Sequence, residues 1–278
     1  MQLMSPTWFV GCGNMGQAMV QGWASAGVDL SIATAIRPSG KPVEGLQVVT
    51  QFGAAGPQPK LVILGFKPQQ LDEVAPRLTG WVSRPTTVVS LLAGVEAASI
   101  RERFPNAGSV VRAIPNLPVA VRRGVVGLYS EDVSDEVRNE LSQLFAMLGF
   151  AMWTNKESSL GAIGSVAGAG PAYAARFIEA LAKAGVERGL SEEIARTIAL
   201  ETVLGTAWMS ATTRESMDEI VHRVASPNGT TEAGLAVLGR DDVLDKLISL
   251  TISAASRRAS ELAEEAKAVK LASEATLH

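Results

Sequence analysis

Histidine and cysteine are almost missing from this 278-residue chain, which has only His222, His278 and Cys12. No zinc centre and no disulfide framework can be assembled from that inventory. A Ser-His-Asp or Cys-His machine would have to rest on His222 alone, and His222 lies in a helical stretch and reads as a surface residue. Aromatic residues make up 5% of the chain, too few for a platform that stacks single-stranded bases. Positive charge is also in short supply. With a net charge of −3, neither nucleic acid nor an anionic membrane surface is attracted over long range. The apolar stretch 61–66 falls well short of the roughly 20 residues a bilayer crossing requires. No lysine or arginine precedes Arg37, so neither a secretory nor a transit leader is expected. The expectation is a soluble protein of a reducing compartment, the cytoplasm.

Hydrophobic residues, in contrast, account for 47% of the chain against 19% charged, enough for a large core divided between two domains. The first half alternates strand-like and helix-like segments. Strands are predicted at 8–10, 31–36, 61–66, 87–92, 109–114 and 124–129, each apolar on both faces, as a parallel sheet covered by helices requires. Helices are predicted at 14–26, 72–78, 95–104 and 134–148, the first stopped by Gly27. From Lys156 onward strand signals nearly vanish. Ser191 followed by Glu192 and Glu193 marks a helix start, and further helices are expected at 172–186 and from about 241 to beyond 267. The 172–186 helix is apolar on most sides and calls for burial all round. We therefore expect it to pack against a second copy of the chain. The fold class is α/β: an N-terminal, doubly wound Rossmann-like sheet over 1–154, then an all-α dimerisation domain over 155–278.

Gly11-Cys12-Gly13-Asn14-Met15-Gly16 stands between the first strand and the first helix, the context that gives a GxGxxG pattern its meaning. Gly11 permits the tight turn, Gly13 lets the backbone approach a pyrophosphate, and Gly16 allows close helix–strand packing. Cys12 reads as a small loop residue, since nothing in the sequence would activate its thiol. About 20 residues farther on, an NAD site usually carries an acid for the ribose 2′-hydroxyl. The second strand here ends instead in Arg37, Ser39 and Lys41, suited to a 2′-phosphate. NADPH is therefore the expected cofactor, with NADH weaker. Farther along, Pro227 and Gly229 end one helical segment, and Thr230 or Thr231 can cap the next. The free N–H groups of such a helix start can hold a carboxylate.

Taken together, six stretches resemble pyrroline-5-carboxylate reductase over nearly the whole chain. They are Gly11 to Gly16, Gly65-Phe66-Lys67-Pro68-Gln69, Val89-Ser90-Leu91-Leu92-Ala93-Gly94, Arg112-Ala113-Ile114-Pro115-Asn116-Leu117-Pro118, Gly168-Ala169-Gly170-Pro171-Ala172-Tyr173 and Ser226-Pro227-Asn228-Gly229-Thr230-Thr231. The resemblance implies that Lys67, Pro68, Ala93 and Asn116 line the cofactor cleft, with Asn116 free to offer its amide to the nicotinamide carboxamide. It also implies that Ser226, Asn228 and the amides of Gly229, Thr230 and Thr231 form the substrate site. Thr231 corresponds to the catalytic threonine that hydrogen-bonds the ring nitrogen. The implied reaction is NADPH-dependent reduction of Δ1-pyrroline-5-carboxylate to L-proline, the last step of proline biosynthesis, in a homodimer or a larger homo-oligomer.

The chain departs from the family pattern at Ile114 for Met, Ala169 for Ser and Asn228 for Gly. Asparagine tolerates the left-handed backbone better than other non-glycine residues, so the turn is expected to survive. Two other readings stay open. One is a reductase of another cyclic imine or a β-hydroxy acid. The other is a non-catalytic dinucleotide sensor, which would have no need of a carboxylate cradle.

Overall fold

Strands that are apolar on both sides need cover on both sides. The computed structural model supplies that cover; it describes residues 3–275, with side chains for 3–261 and 264. The strands are β1 (Thr7–Val10), β2 (Ala33–Ile36), β3 (Gln47–Val49), β4 (Leu61–Leu64), β5 (Thr87–Ser90), β6 (Ser109–Pro115), β7 (Gly124–Tyr129) and β8 (Gly149–Trp153). They form one sheet in the order β3-β2-β1-β4-β5-β6-β7-β8. The helices α1 (Asn14–Ser25), α2 (Leu71–Leu78), α3 (Ala97–Arg103) and α4 (Asp135–Ala146) cover it. Alternation along the strands sorts the two layers. Phe9, Leu61, Ile63, Val89 and Val111 join Met19 and Trp23 of α1 and Leu144 and Phe145 of α4. Trp8, Val10, Val62, Leu64 and Val88 join Leu71 and Leu78 of α2 and Ile100 of α3. Each large side chain buried in this way contributes about 1.5–3 kcal/mol. Gly22 lets α1 lie against the short 3-10 turn Leu117–Val121, since a Cβ there would fall on the Val119 carbonyl oxygen.

The structure departs from the sequence reading in three places. β3 and β8 were not predicted. β3 has only three residues, and β8 alternates, with Phe150 and Met152 turned outward. β7 runs antiparallel to β6, and β8 follows β7 in parallel. The connection 116–123 is too short for the helical crossover that a parallel neighbour needs. The described residues also form two compact units, one of which is Gly170–Ala254. Residues 155–169, which the sequence reading places with the helical half, remain with the sheet. Leu160 of α5 (Ser158–Ile163) is fully buried beside Ala97 and Tyr129, and a Cβ at Gly127 would meet both Leu160 and Ile163.

The second unit contains α6 (Gly170–Glu187), α7 (Glu192–Thr213), α8 (Met217–Val224), α9 (Thr230–Leu238) and the start of α10 (Val243–Ala275). Ser191 caps α7 as expected, its hydroxyl accepting from the Ile194 N–H at 3.4 Å. Interior is scarce. Among the described residues of this unit the buried apolar side chains are Ala182, Ala195, Ala199 and Ile220, while Phe177, Ile194, Leu204 and Leu250 lie open. Large apolar side chains left open in such number on one small unit point to an interaction face. No helix among the described residues is long and apolar enough to cross a membrane.

Candidate active site

The outer strand order reverses at β1, which has β2 on one side and β4 on the other; ligands of such sheets bind at that crevice. Gly11 leaves β1 with φ +70°, and a Cβ on it would lie 2.9 Å from the Phe66 Cβ and 3.0 Å from the Gly65 carbonyl oxygen. Gly13 is the N-cap of α1 and has no side-chain cap, no acid follows in the first turn, and space within 4 Å of its missing Cβ is empty. The first-turn N–H groups and the positive end of the helix therefore face an open cradle, which suits a pyrophosphate. The adjoining cavity of about 570 Å³ is lined by residues 10–16, then by Arg37 and Ser39 after β2 and Lys67 after β4. The Arg37 guanidinium donates from Nη1 to the carbonyls of Lys41 at 3.1 Å and Pro42 at 3.3 Å, fixing the loop behind it. Cys12 is 1% exposed, and burial pushes its thiol up to about 11, partly opposed by the charge on Arg37. It packs and does not react.

Pro68, Ala93 and Asn116 do not line this cavity. Asn116 is engaged within the sheet unit. Buried at 6% exposure, it accepts the Val125 N–H at 2.8 Å through Oδ1 and donates from Nδ2 to the Ala167 carbonyl at 2.9 Å. Its amide secures the start of β7 and the π-helical turn Gly164–Gly168.

In the helical unit, α8 ends at Val224 and Asn228 takes φ 56°, the left-handed conformation expected of it. The Gly229 N–H closes the turn on the Ser226 carbonyl at 3.0 Å. A Cβ on Gly229 would fall on the Ser226 hydroxyl. Gly229, and neither threonine, is the N-cap of α9; Thr230 and Thr231 are its first two residues. The correction opens the site further, because a glycine cap leaves the first-turn N–H groups without a side-chain acceptor. Glu232, absent from the sequence reading, reaches back to accept the Asn228 N–H at 2.5 Å. His222 is exposed, with Nδ1 2.8 Å from the Asp218 carbonyl.

Residues 157–262 match the family model described as pyrroline-5-carboxylate reductase dimerisation, and residues 8–94 match one described as NADP oxidoreductase, coenzyme F420-dependent. The pyrroline-5-carboxylate reductase of Pseudomonas aeruginosa is 33% identical over 264 residues, 92% of this chain and 96% of its own. The chain belongs to the pyrroline-5-carboxylate reductase family. The Synechocystis reductase is 38% identical over 207 residues, 74% of this chain and 76% of its own. The solved pyrroline-5-carboxylate reductase of Coxiella burnetii superposes with a TM-score of 0.84 at 30% identity, covering 94% of this chain and 99% of that one. This member of the reductase family is an oxidoreductase with a dimerisation region, which accounts for the apolar faces left open on α6 and α7.

Sequence reasoning missed part of the cavity wall. Phe52, in the connection from β3 to β4, and Glu73, Val74 and Arg77 of α2 also line it. It missed as well the ion pair that carries this reductase's chain from sheet to α5. Arg112 of β6 meets Glu157 at 2.6 Å, and the same carboxylate oxygen accepts the Ala97 N–H at the start of α3 at 2.7 Å.

Proposed function

We propose that this chain reduces Δ1-pyrroline-5-carboxylate to L-proline with NADPH, in the cytoplasm, as a homodimer joined through its helical half. The observation that carries the reading is that one chain of this family has two uncapped helix starts, at Gly13 and at Gly229. Residues 1–154 would serve the cofactor, and 155–278 the substrate and the dimer. The α1 start takes the pyrophosphate through its N–H groups. Arg37 and Ser39 take the 2′-phosphate, and Lys67, Pro68 and Ala93 flank the remainder. When bound, the reduced nicotinamide supplies the hydride. Ser226 and the N–H groups of Thr230 and Thr231 hold the substrate carboxylate, and Asn228 and Gly229, whose own N–H closes the turn on Ser226, shape the loop that presents them. The Thr231 hydroxyl orients the ring nitrogen. A cyclic imine is readily protonated from water, so a chain nearly without histidine lacks nothing this chemistry needs.

The test is NADPH oxidation with a panel of pyrroline-5-carboxylate, other cyclic imines and β-keto acids. Pyrroline-5-carboxylate should give the highest kcat/KM, and no turnover with it would remove the proposal. Cofactor choice has its own check. Arg37→Ala is expected to weaken NADPH by ten- to hundredfold, the loss of a charge-assisted contact worth about 1.5–3 kcal/mol. Loosening of the loop held at Lys41 and Pro42 affects both cofactors alike, so the readout is the ratio of NADPH to NADH dissociation constants. An unchanged ratio would argue against a 2′-phosphate partner at Arg37.

A further inference from the structure

The connection from β5 to α3, residues 91–96, is tied at both ends by groups outside it. At its start the Leu91 N–H donates to the Leu64 carbonyl at 3.0 Å, and Leu91 lines the cavity beside α1. Leu92 and Val95 are buried in the layer that α2 covers, Gly94 turns with φ +75°, and Ala93 is left exposed at the bend. At the far end, α3 begins with no side-chain cap of its own. The missing acceptor arrives from 60 residues away, where Glu157 Oε1 takes the Ala97 N–H at 2.7 Å. The same oxygen accepts from Arg112 Nη1 at 2.6 Å, and the Arg112 side chain is 10% exposed. A carboxylate held in this way against a buried cation has little freedom, and neither has the backbone that donates to it.

A dinucleotide with its pyrophosphate on the α1 start and its phosphorylated ribose at Arg37, after β2, extends its other half the opposite way along the sheet, over the ends of β4 and β5. The 91–96 loop leaves the sheet at that end of β5. We propose that Glu157 is a positioning residue for hydride transfer: through the Ala97 N–H it fixes the 91–96 loop beside the nicotinamide half, while Arg112 fixes Glu157. The proposal rests on the dinucleotide reading of the cavity and adds the device that steadies its reactive end. It assigns different duties to the two bonds of one oxygen. The bond to Arg112 carries stability, and the bond to Ala97 carries geometry. Geometry is the more sensitive of the two, since a shift of about 1 Å near a reacting centre lowers the rate by up to about a hundredfold.

Two variants separate these duties. Glu157→Asp keeps a charge for Arg112 but is one methylene short of Ala97, whereas Glu157→Gln keeps the reach and an acceptor oxygen but loses the charge. Thermal melts verify that both are folded at the assay temperature. Glu157→Asp is expected to lower kcat about tenfold and to enlarge the isotope effect seen with NADPH deuterated at both C4 positions. Amide hydrogen exchange across 91–97 in the cofactor-free protein should quicken in the same variant. Glu157→Gln should stay within about threefold of the wild-type rate, because the Ala97 N–H retains an acceptor. Adenosine 2′,5′-bisphosphate, which reports on the Arg37 end alone, should bind all three proteins alike by calorimetry. Wild-type kcat in Glu157→Asp would leave Glu157 a purely structural group and overturn the proposal. Equal slowing in Glu157→Gln would do the same by tracing the effect to the charge on Arg112, as would lost bisphosphate affinity by tracing it to the whole sheet. A wild-type protein that oxidises NADPH with none of the imines would instead sink the underlying reading, a result distinct from those.

Discussion

Thr231→Ala is expected to lower turnover by ten- to hundredfold while NADPH binds as before. The figure follows from losing one hydrogen bond to a charged, reacting ring, about 1.5–3 kcal/mol, with each 1.4 kcal/mol a factor of ten. Thr231 is the second residue of α9, where alanine is the better helix former. Its main-chain N–H also survives the substitution, so the proposed carboxylate cradle loses nothing. Thr231→Ser, which retains the hydroxyl, should recover most of the rate. Steady-state kcat alongside NADPH titration checks this. Collapsed cofactor binding with normal turnover at saturation would assign Thr231 to the wrong ligand.

The largest expected effect on stability lies at Glu157. Its Oε1 is shared by Arg112 at 2.6 Å and the Ala97 N–H at 2.7 Å, and the Arg112 side chain is only 10% exposed. Glu157→Ala leaves that guanidinium buried without its counter-charge and removes the acceptor at the start of α3. Breaking a buried pair from one side costs about 3–5 kcal/mol; with Glu157 itself 24% exposed, the low end, about 3 kcal/mol, is expected. Urea unfolding at fixed protein concentration measures it. Glu157→Gln, which preserves the shape and one acceptor oxygen, should lose clearly less. A difference under about 1 kcal/mol for the alanine variant would mean that water replaces the carboxylate.

Features under tight local constraint were legible before any coordinates. The glycine loop is one, since Gly11 at φ +70° and Gly16 against the Cys12 sulfur both exclude a side chain. Ser191 as a cap and Asn228 in the left-handed region are others, being consequences of residue type at one position. Strand direction was less accessible. The apolar pattern at 124–129 reads the same either way along the chain, and only the brevity of 116–123 carries the reversal. The hydrogen bonds of Asn116 were not legible either, because Val125 and Ala167 meet its amide only in the folded sheet. Phe52 and Arg77 gave no local signal. Phe52 of the β3–β4 connection and Arg77 of α2 meet only in the fold, as do Arg112 of β6 and Glu157, 45 residues apart.

The bare apolar faces of α6 and α7 have a consequence for handling as well as for assembly. Where a chain conceals Ile194 and Leu204 only by meeting its twin, its melting point climbs with protein concentration, as for any protomer that binds its own kind. Dilution then acts like mild urea. Activity assayed at nanomolar levels would fade over time in a tube that stays fully active at micromolar levels.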